Sequence, residues 1–219
     1  MNVLLFGATG MIGQGVLRSC LLDSRVTRVV SVSRRPTGKT DPKLREFVQN
    51  DVTDLSPLGV ELKTIDACLF TLGISSLGQT EEEYSRATYD LTVRVAEQLV
   101  KANPSMTFVY VSGRSTDSTE KGGAMWARVK GRTENALLRL GFARAYMIRP
   151  GAIIPRHGIR SATGWYNALY AVAKPLFPLV KRLSPTAVTN SDQISNAMIS
   201  VARDGYPKPI LEMEDIIKF

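Results

Sequence analysis

Three glycines punctuate Gly7-Ala8-Thr9-Gly10-Met11-Ile12-Gly13, directly after the apolar run Val3-Leu4-Leu5-Phe6. The apolar run reads as a buried strand, and Val16, Leu17, Leu21 and Leu22 continue the segment as a helix. A strand, a tight turn and a helix start leave backbone N–H groups without partners at the positive end of a helix dipole. Such a concavity suits a pyrophosphate, walled by Gly7, Thr9, Gly10, Met11, Ile12 and Gly13. A βα turn that binds nothing is the alternative, and the rest of the chain decides between them.

If a dinucleotide sits there, the end of the next strand faces its adenosine ribose. Val26 to Val32 is that β-branched strand, and it runs into Ser33-Arg34-Arg35-Pro36 without a carboxylate. An acid would accept from both ribose hydroxyls, whereas arginine pairs with a 2′-phosphate. Ser33, Arg34 and Arg35 therefore favour NADP over NAD, an ordinary exposed basic loop being the other reading. Asp51-Val52 falls where the adenine edge would lie, and Leu72-Gly73 ends a strand where glycine lets a ligand approach the backbone. The single imidazole, His157 in Pro155-Arg156-His157-Gly158, reads as an exposed loop residue or a catalytic one. Arg156 and Arg160 are candidates to meet an anionic substrate. No Cys, His and Asp group has metal-site spacing.

The elements that position these residues alternate. Leu44–Val48 is a third strand, and the Thr53–Lys63 stretch a short helix interrupted by Pro57 and Gly59. Ala67–Leu72 is a fourth strand, and Thr80–Lys101 a long helix capped by Thr80 with Glu81, Glu82 and Glu83 in its first turn. Thr107–Val111 is a fifth strand delivering Ser112, Trp126–Leu140 a helix stopped by Gly141, and Ala145–Ile148 a sixth strand entering Arg149-Pro150-Gly151. Six strands alternating with helices over short connections predict an α/β doubly wound parallel sheet. The chain of 219 residues forms one domain, 1–219, with 152–187 as a substrate-side or interface segment. Within it, 164–179 is aromatic and apolar and reads as lid or core packing, a partner interface or a membrane-surface element. Asp192–Ala202 is a late helix, and Pro209–Met213 a late strand for the sheet edge.

The formal net charge is +8, but the basic residues are dispersed and lack aromatic interleaving, which argues against nucleic acid and fits an anionic cofactor. No apolar run reaches the ~20 residues of a membrane span. Two cysteines, Cys20 and Cys68, sit in apolar segments as small core residues. The expected partner is a small-molecule substrate, the expected state a monomer or homodimer, and the expected location the cytoplasm.

Taken together, the Gly7–Gly13 turn, Asp51-Val52, Gly73, Ser112, Lys130 and Arg149-Pro150-Gly151 resemble the extended or atypical short-chain dehydrogenase/reductase superfamily. Within it the chain is similar to the small members that resemble the human Tat-interacting protein and bacterial nucleoside-diphosphate-sugar epimerases. Val188–Ile194 and Ile210-Leu211-Glu212 carry that likeness in the tail. The resemblance implies that Ser112 orients the substrate, that Lys130 holds the nicotinamide ribose, and that Arg149, Pro150 and Gly151 lie beside the cofactor. It also implies a proton-exchanging tyrosine four residues before Lys130, and there the chain has Trp126, whose indole is a donor only. Three readings follow. Tyr110, Tyr89 or Tyr166 substitutes, Tyr110 sharing the strand face of Ser112; the acceptor needs little acid–base help, as a quinone or flavin does; or the pocket binds NADP without turnover, as a regulatory or scaffolding protein. The first two make it an oxidoreductase or epimerase-like enzyme.

Overall fold

The computed structural model describes residues 1–159 and 186–219, so the aromatic stretch 164–179, with Tyr166, lies outside the described residues. The strands are β1 (Asn2–Phe6), β2 (Arg28–Ser33), β3 (Leu44–Val48), β4 (Ala67–Phe70), β5 (Thr107–Val111), β6 (Arg144–Ile148), β7 (Ala152–Ile154), β8 (Val188–Asn190) and β9 (Ile210–Leu211). Seven of them form one sheet in the order β3-β2-β1-β4-β5-β6-β9, parallel throughout. The expected late strand is β9, which pairs Ile210 with Met147 and Leu211 with Ile148. A small parallel sheet of β7 and β8, joining Ala152 to Val188, was not legible in the sequence.

Parallel strands covered on both faces need apolar side chains on both, which is why β1 is a continuous apolar run rather than an alternating one. Val3 and Leu5 pack with Val16, Leu17 and Cys20 of α1 (Met11–Leu22). Leu4 and Phe6 pack on the opposite layer with Val95 and Leu99. That layer holds α2 (Glu81–Ser85) and α3 (Leu91–Ala102), which run on from one another through a π-helical turn at Arg86–Asp90, and α4 (Met125–Arg139). Thr80 starts this long helix with a complete capping box to Glu83. The α1 face is completed by α5 (Ser191–Asp204), with Ile194, Ala197 and Met198 in its core. A last short helix, α6, spans Met213–Ile216. The Ser56–Thr64 segment is a 3-10 helix broken at Gly59, whose φ is 49°.

Strand order runs outward from β1 to β3 on one side and from β4 to β9 on the other. The reversal beside β1 opens a crevice at the carboxyl ends of β1 and β4, where ligands of doubly wound sheets bind. Gly7 follows β1 directly.

Candidate functional site: a dinucleotide cradle beside a serine–tryptophan cleft

The turn after β1 is tight for steric reasons. Gly7 has a φ of 85°, and a Cβ on it would lie 2.7 Å from Thr71 Oγ1 and 2.8 Å from the Leu72 nitrogen. A Cβ on Gly13 would collide with the Gly7 carbonyl. Gly10 N donates to Gly7 O at 2.9 Å, closing the turn. The Thr71 hydroxyl donates to Phe6 O at 2.7 Å, and Gln14 Nε2 donates to Thr9 O at 3.0 Å. Gly10 is the N-cap of α1, with no side-chain cap and no acid in the first turn. The first turn offers no acid to compete for a phosphate, so the shape and polarity of this cradle fit a pyrophosphate.

On the adenosine side, Ser33 is buried and its hydroxyl donates to Arg35 O at 2.7 Å, folding the chain just past β2. Arg34 and Arg35 are exposed, and among the described residues neither guanidinium has a partner. The Asp51 carboxylate accepts from Thr53 N at 2.9 Å and Thr53 Oγ1 at 2.7 Å. Those bonds hold it below the usual carboxylate range. Val52 is buried behind it. Leu72 is half-buried, and exposed Gly73 has open space where a Cβ would be.

On the reactive side, Ile12 of the cradle, Ser112, Arg114, Trp126, Pro150 and Gly151 are among the residues lining one open cleft of about 540 Å³. Ser112 N donates to Ile148 O at 2.9 Å, and its hydroxyl donates to the same carbonyl at 3.2 Å. Arg114 N donates to Pro150 O at 2.8 Å, tying the ends of β5 and β6 together. Trp126 stands in the first turn of α4. One turn on, the Lys130 ammonium lies 5.5 Å from the centroid of the Tyr110 ring. Burial lowers the Lys130 pKa to about 8, opposed by the charge of Glu134.

Several expected residues are not brought to this cleft. Tyr110 does share the Ser112 strand end, but its side chain is fully buried in the layer beneath α3 and α4. Burial raises its pKa, and its hydroxyl makes no hydrogen bond of good geometry. A proton so placed cannot reach a substrate, so Tyr110 is corrected from catalytic candidate to core residue. Tyr89 stacks under Arg132, whose guanidinium carbon is 4.1 Å from the ring centroid. His157 contacts Asp192 Oδ2 at 3.0 Å, and Arg156 reaches the same oxygen at 3.1 Å. His157 lines a different cavity, of about 460 Å³, with Leu17, Arg18 and Lys39. Arg149 is engaged by protein: its Nη1 donates to Glu212 at 2.9 Å, its Nη2 to Ser118 at 2.6 Å, and its Nε to Glu134 at 3.1 Å. It braces the end of β6 while Pro150 and Gly151 line the cleft. Arg160 lies outside the described residues.

The sequence reading missed Arg114, Thr71, Glu134 and Gly131. Only Glu134 left a trace, one helical turn beyond Lys130. Gly131 is required because a Cβ there would strike the Asp117 carbonyl, a long-range contact with no local signature. Among the described residues no group of His, Cys, Asp or Glu could hold a metal, and no helix is long and apolar enough to cross a membrane.

The sheet order and the cradle at its switch point define a nucleotide-binding Rossmann protein of the extended short-chain dehydrogenase/reductase type. The chain belongs to the NAD dependent epimerase/dehydratase family, whose model matches residues 3–120. It is 32% identical to the mitochondrial protein fmp52 of Aspergillus fumigatus, the match covering 100% of this chain and 97% of that one. The fmp52 protein of Emericella nidulans, also named mitochondrial, is 31% identical over 69% of this chain and 66% of its own. Among solved structures, MoeE5 in complex with UDP-glucose and NAD shares the fold, with a TM-score of 0.67, 20% identity, and coverage of 100% of this chain and 80% of that one. The chain is thus an oxidoreductase- or epimerase-like, NAD(P)-binding protein. The cytoplasmic expectation does not stand, because these relatives are named mitochondrial.

Proposed function

We propose that the chain catalyses NADP(H)-linked hydride transfer to or from a small carbonyl compound in the cleft between Ile12, Ser112 and Trp126. One observation carries this reading: Ile12 of the phosphate cradle and Ser112 at the end of β5 line the same cleft. When bound, the nicotinamide supplies or accepts the hydride. The chain's own residues do the rest. Gly7, Thr9, Gly10, Met11, Ile12 and Gly13 hold the pyrophosphate; Asp51, Val52, Leu72 and Gly73 border the adenosine. Lys130 reaches a ribose hydroxyl with its ammonium, and Ser112 orients the substrate oxygen by turning its hydroxyl from Ile148 O to donate to it. Pro150 and Gly151 close one wall, and 152–187 belongs to the substrate side of a single 1–219 domain.

The unpaired guanidinium groups of Arg34 and Arg35 support NADP over NAD. Titration with NADPH and NADH tests this. NADPH binds tighter by about 10- to 100-fold, the range expected for one hydrogen bond to a charged group, and Arg34→Ala with Arg35→Ala removes the difference. Equal affinities in the wild-type chain would sink the NADP assignment. A non-catalytic NADP-binding reading draws on Trp126, whose indole N–H donates but does not act as an acid or base. Tight NADPH binding without turnover on quinones, aldehydes or sugar nucleotides would favour it.

A further inference from the structure

We infer that the Ser112–Trp126 cleft takes a planar, conjugated carbonyl acceptor of the quinone type rather than an isolated carbonyl. The inference rests on the hydride-transfer reading above and names its substrate class.

Protonation chemistry carries the argument. Among the described residues that line the cleft, the side chains carrying a donor are Ser112, Ser115, Trp126 and Arg114. None of these exchanges a proton near neutral pH. The Ser112 proton is also directed at Ile148 O. Two other side chains are engaged away from the substrate oxygen among the described residues: the Lys130 ammonium lies over the Tyr110 ring and is assigned to the ribose, and His157 meets Asp192 in the other cavity. Hydride added to an isolated carbonyl leaves an alkoxide, whose conjugate acid is about as weak an acid as water. Hydride added to a quinone leaves a phenolate-like oxygen of pKa about 10. That difference in basicity decides whether an acid must stand beside the oxygen.

The residues present suit the second case. Trp126 offers a flat, half-buried indole against the Gly113 backbone, where a Cβ would lie only 3.8 Å from its Cζ3. A conjugated ring stacks on such a face. Arg114 contributes a permanent positive charge at the rim. Its backbone is held by Pro150 O at 2.8 Å, its guanidinium reaches only the Thr186 carbonyl at 3.5 Å, and among the described residues no carboxylate neutralises it. A delocalised anion is what that charge stabilises. The step balances: two electrons and one hydrogen pass as hydride from the reduced nicotinamide to the quinone, giving the oxidised nicotinamide and the hydroquinone monoanion. Water then protonates the monoanion.

The experiment follows NADPH oxidation by menadione and by hexanal, with NADPH affinity measured separately by titration. Wild-type kcat/KM is expected to favour menadione by about 100-fold or more, the lower bound of what a positioned general acid contributes. Trp126→Tyr places a phenol one turn before Lys130 and raises hexanal turnover by about tenfold or more. Trp126→Ala raises the menadione KM by roughly 3- to 10-fold while leaving NADPH affinity unchanged. In Trp165→Phe, which leaves Trp126 as the one indole, menadione quenches the emission. Equal turnover of hexanal and menadione by a chain that binds NADPH overturns this inference alone, as does a menadione KM indifferent to Trp126→Ala. A chain that binds no NADPH overturns the hydride-transfer reading itself.

Discussion

Lys130 shows how one residue's environment sets its use. Desolvation disfavours its ammonium, and the pKa of about 8 leaves it mostly charged at pH 7 and largely neutral by pH 9. If the ammonium holds the ribose, cofactor affinity falls as pH rises through about 8, and Lys130→Met abolishes that dependence at a cost of about 10- to 100-fold in affinity. Stability moves the other way. The folded-state pKa lies below the unfolded value of about 10.4, so the unfolded chain binds more protons between these values and stability rises with pH across that window. The burial penalty is fully present below about pH 8 and fades toward pH ~10. Urea denaturation should therefore show Lys130→Met gaining most over wild type near pH 7, the gap closing by about pH 10. At this scale the glycines were legible, because a turn this tight leaves a compositional mark. Tyr110 was not. Period two places it on the strand face but does not say whether that face meets the cleft or the helix layer.

At the scale of elements, the site depends on α4 being seated against β6 and the 117 loop. Glu134 is fully buried and pairs with Arg149, which also grips Glu212 ahead of α6 and Ser118. Removing one partner of a buried pair strands the other charge, typically costing about 3–5 kcal/mol. Glu134→Ala should lower the free energy of unfolding by that amount and loosen the Trp126 end of α4, read as a red shift of indole emission in a Trp165→Phe background. Unchanged stability would mean the network is relaxed by water. The long helix from Thr80 was legible through its cap, but the π-helical turn at Arg86–Asp90 was not. An extra residue in a turn leaves no periodic signal over so short a span. It buries Thr88, whose hydroxyl has no hydrogen-bond partner among the described residues, and such turns gather at functional sites.

For the whole molecule, topology was the most legible feature, because alternating apolar strands and capped helices admit few arrangements once crossovers are right-handed. The small β7–β8 sheet was hidden because its two three-residue strands are separated by a long stretch of sequence. Among the described residues, topology leaves at the carboxyl side of β1 the Ser112–Trp126 cleft and the His157 cavity between α1 and residues 37–41. Both touch the Gly7–Gly13 turn, the first through Ile12 and the second through Ala8. A dinucleotide spanning the switch point must cross from β2 to β5, so hydrogen exchange separates them. Saturating NADPH, at about 100 times its Kd, stabilises the chain by about 2.7 kcal/mol, and the slowed amides should lie in 7–13, 33–37 and 112–115. NADH should slow the first and third of these and leave 33–37 unchanged if, as proposed, the 2′-phosphate is what engages Arg34 and Arg35. Slowing confined to 37–41 and 157–159 would move the cofactor to the His157 cavity and take the reactive role away from Ser112.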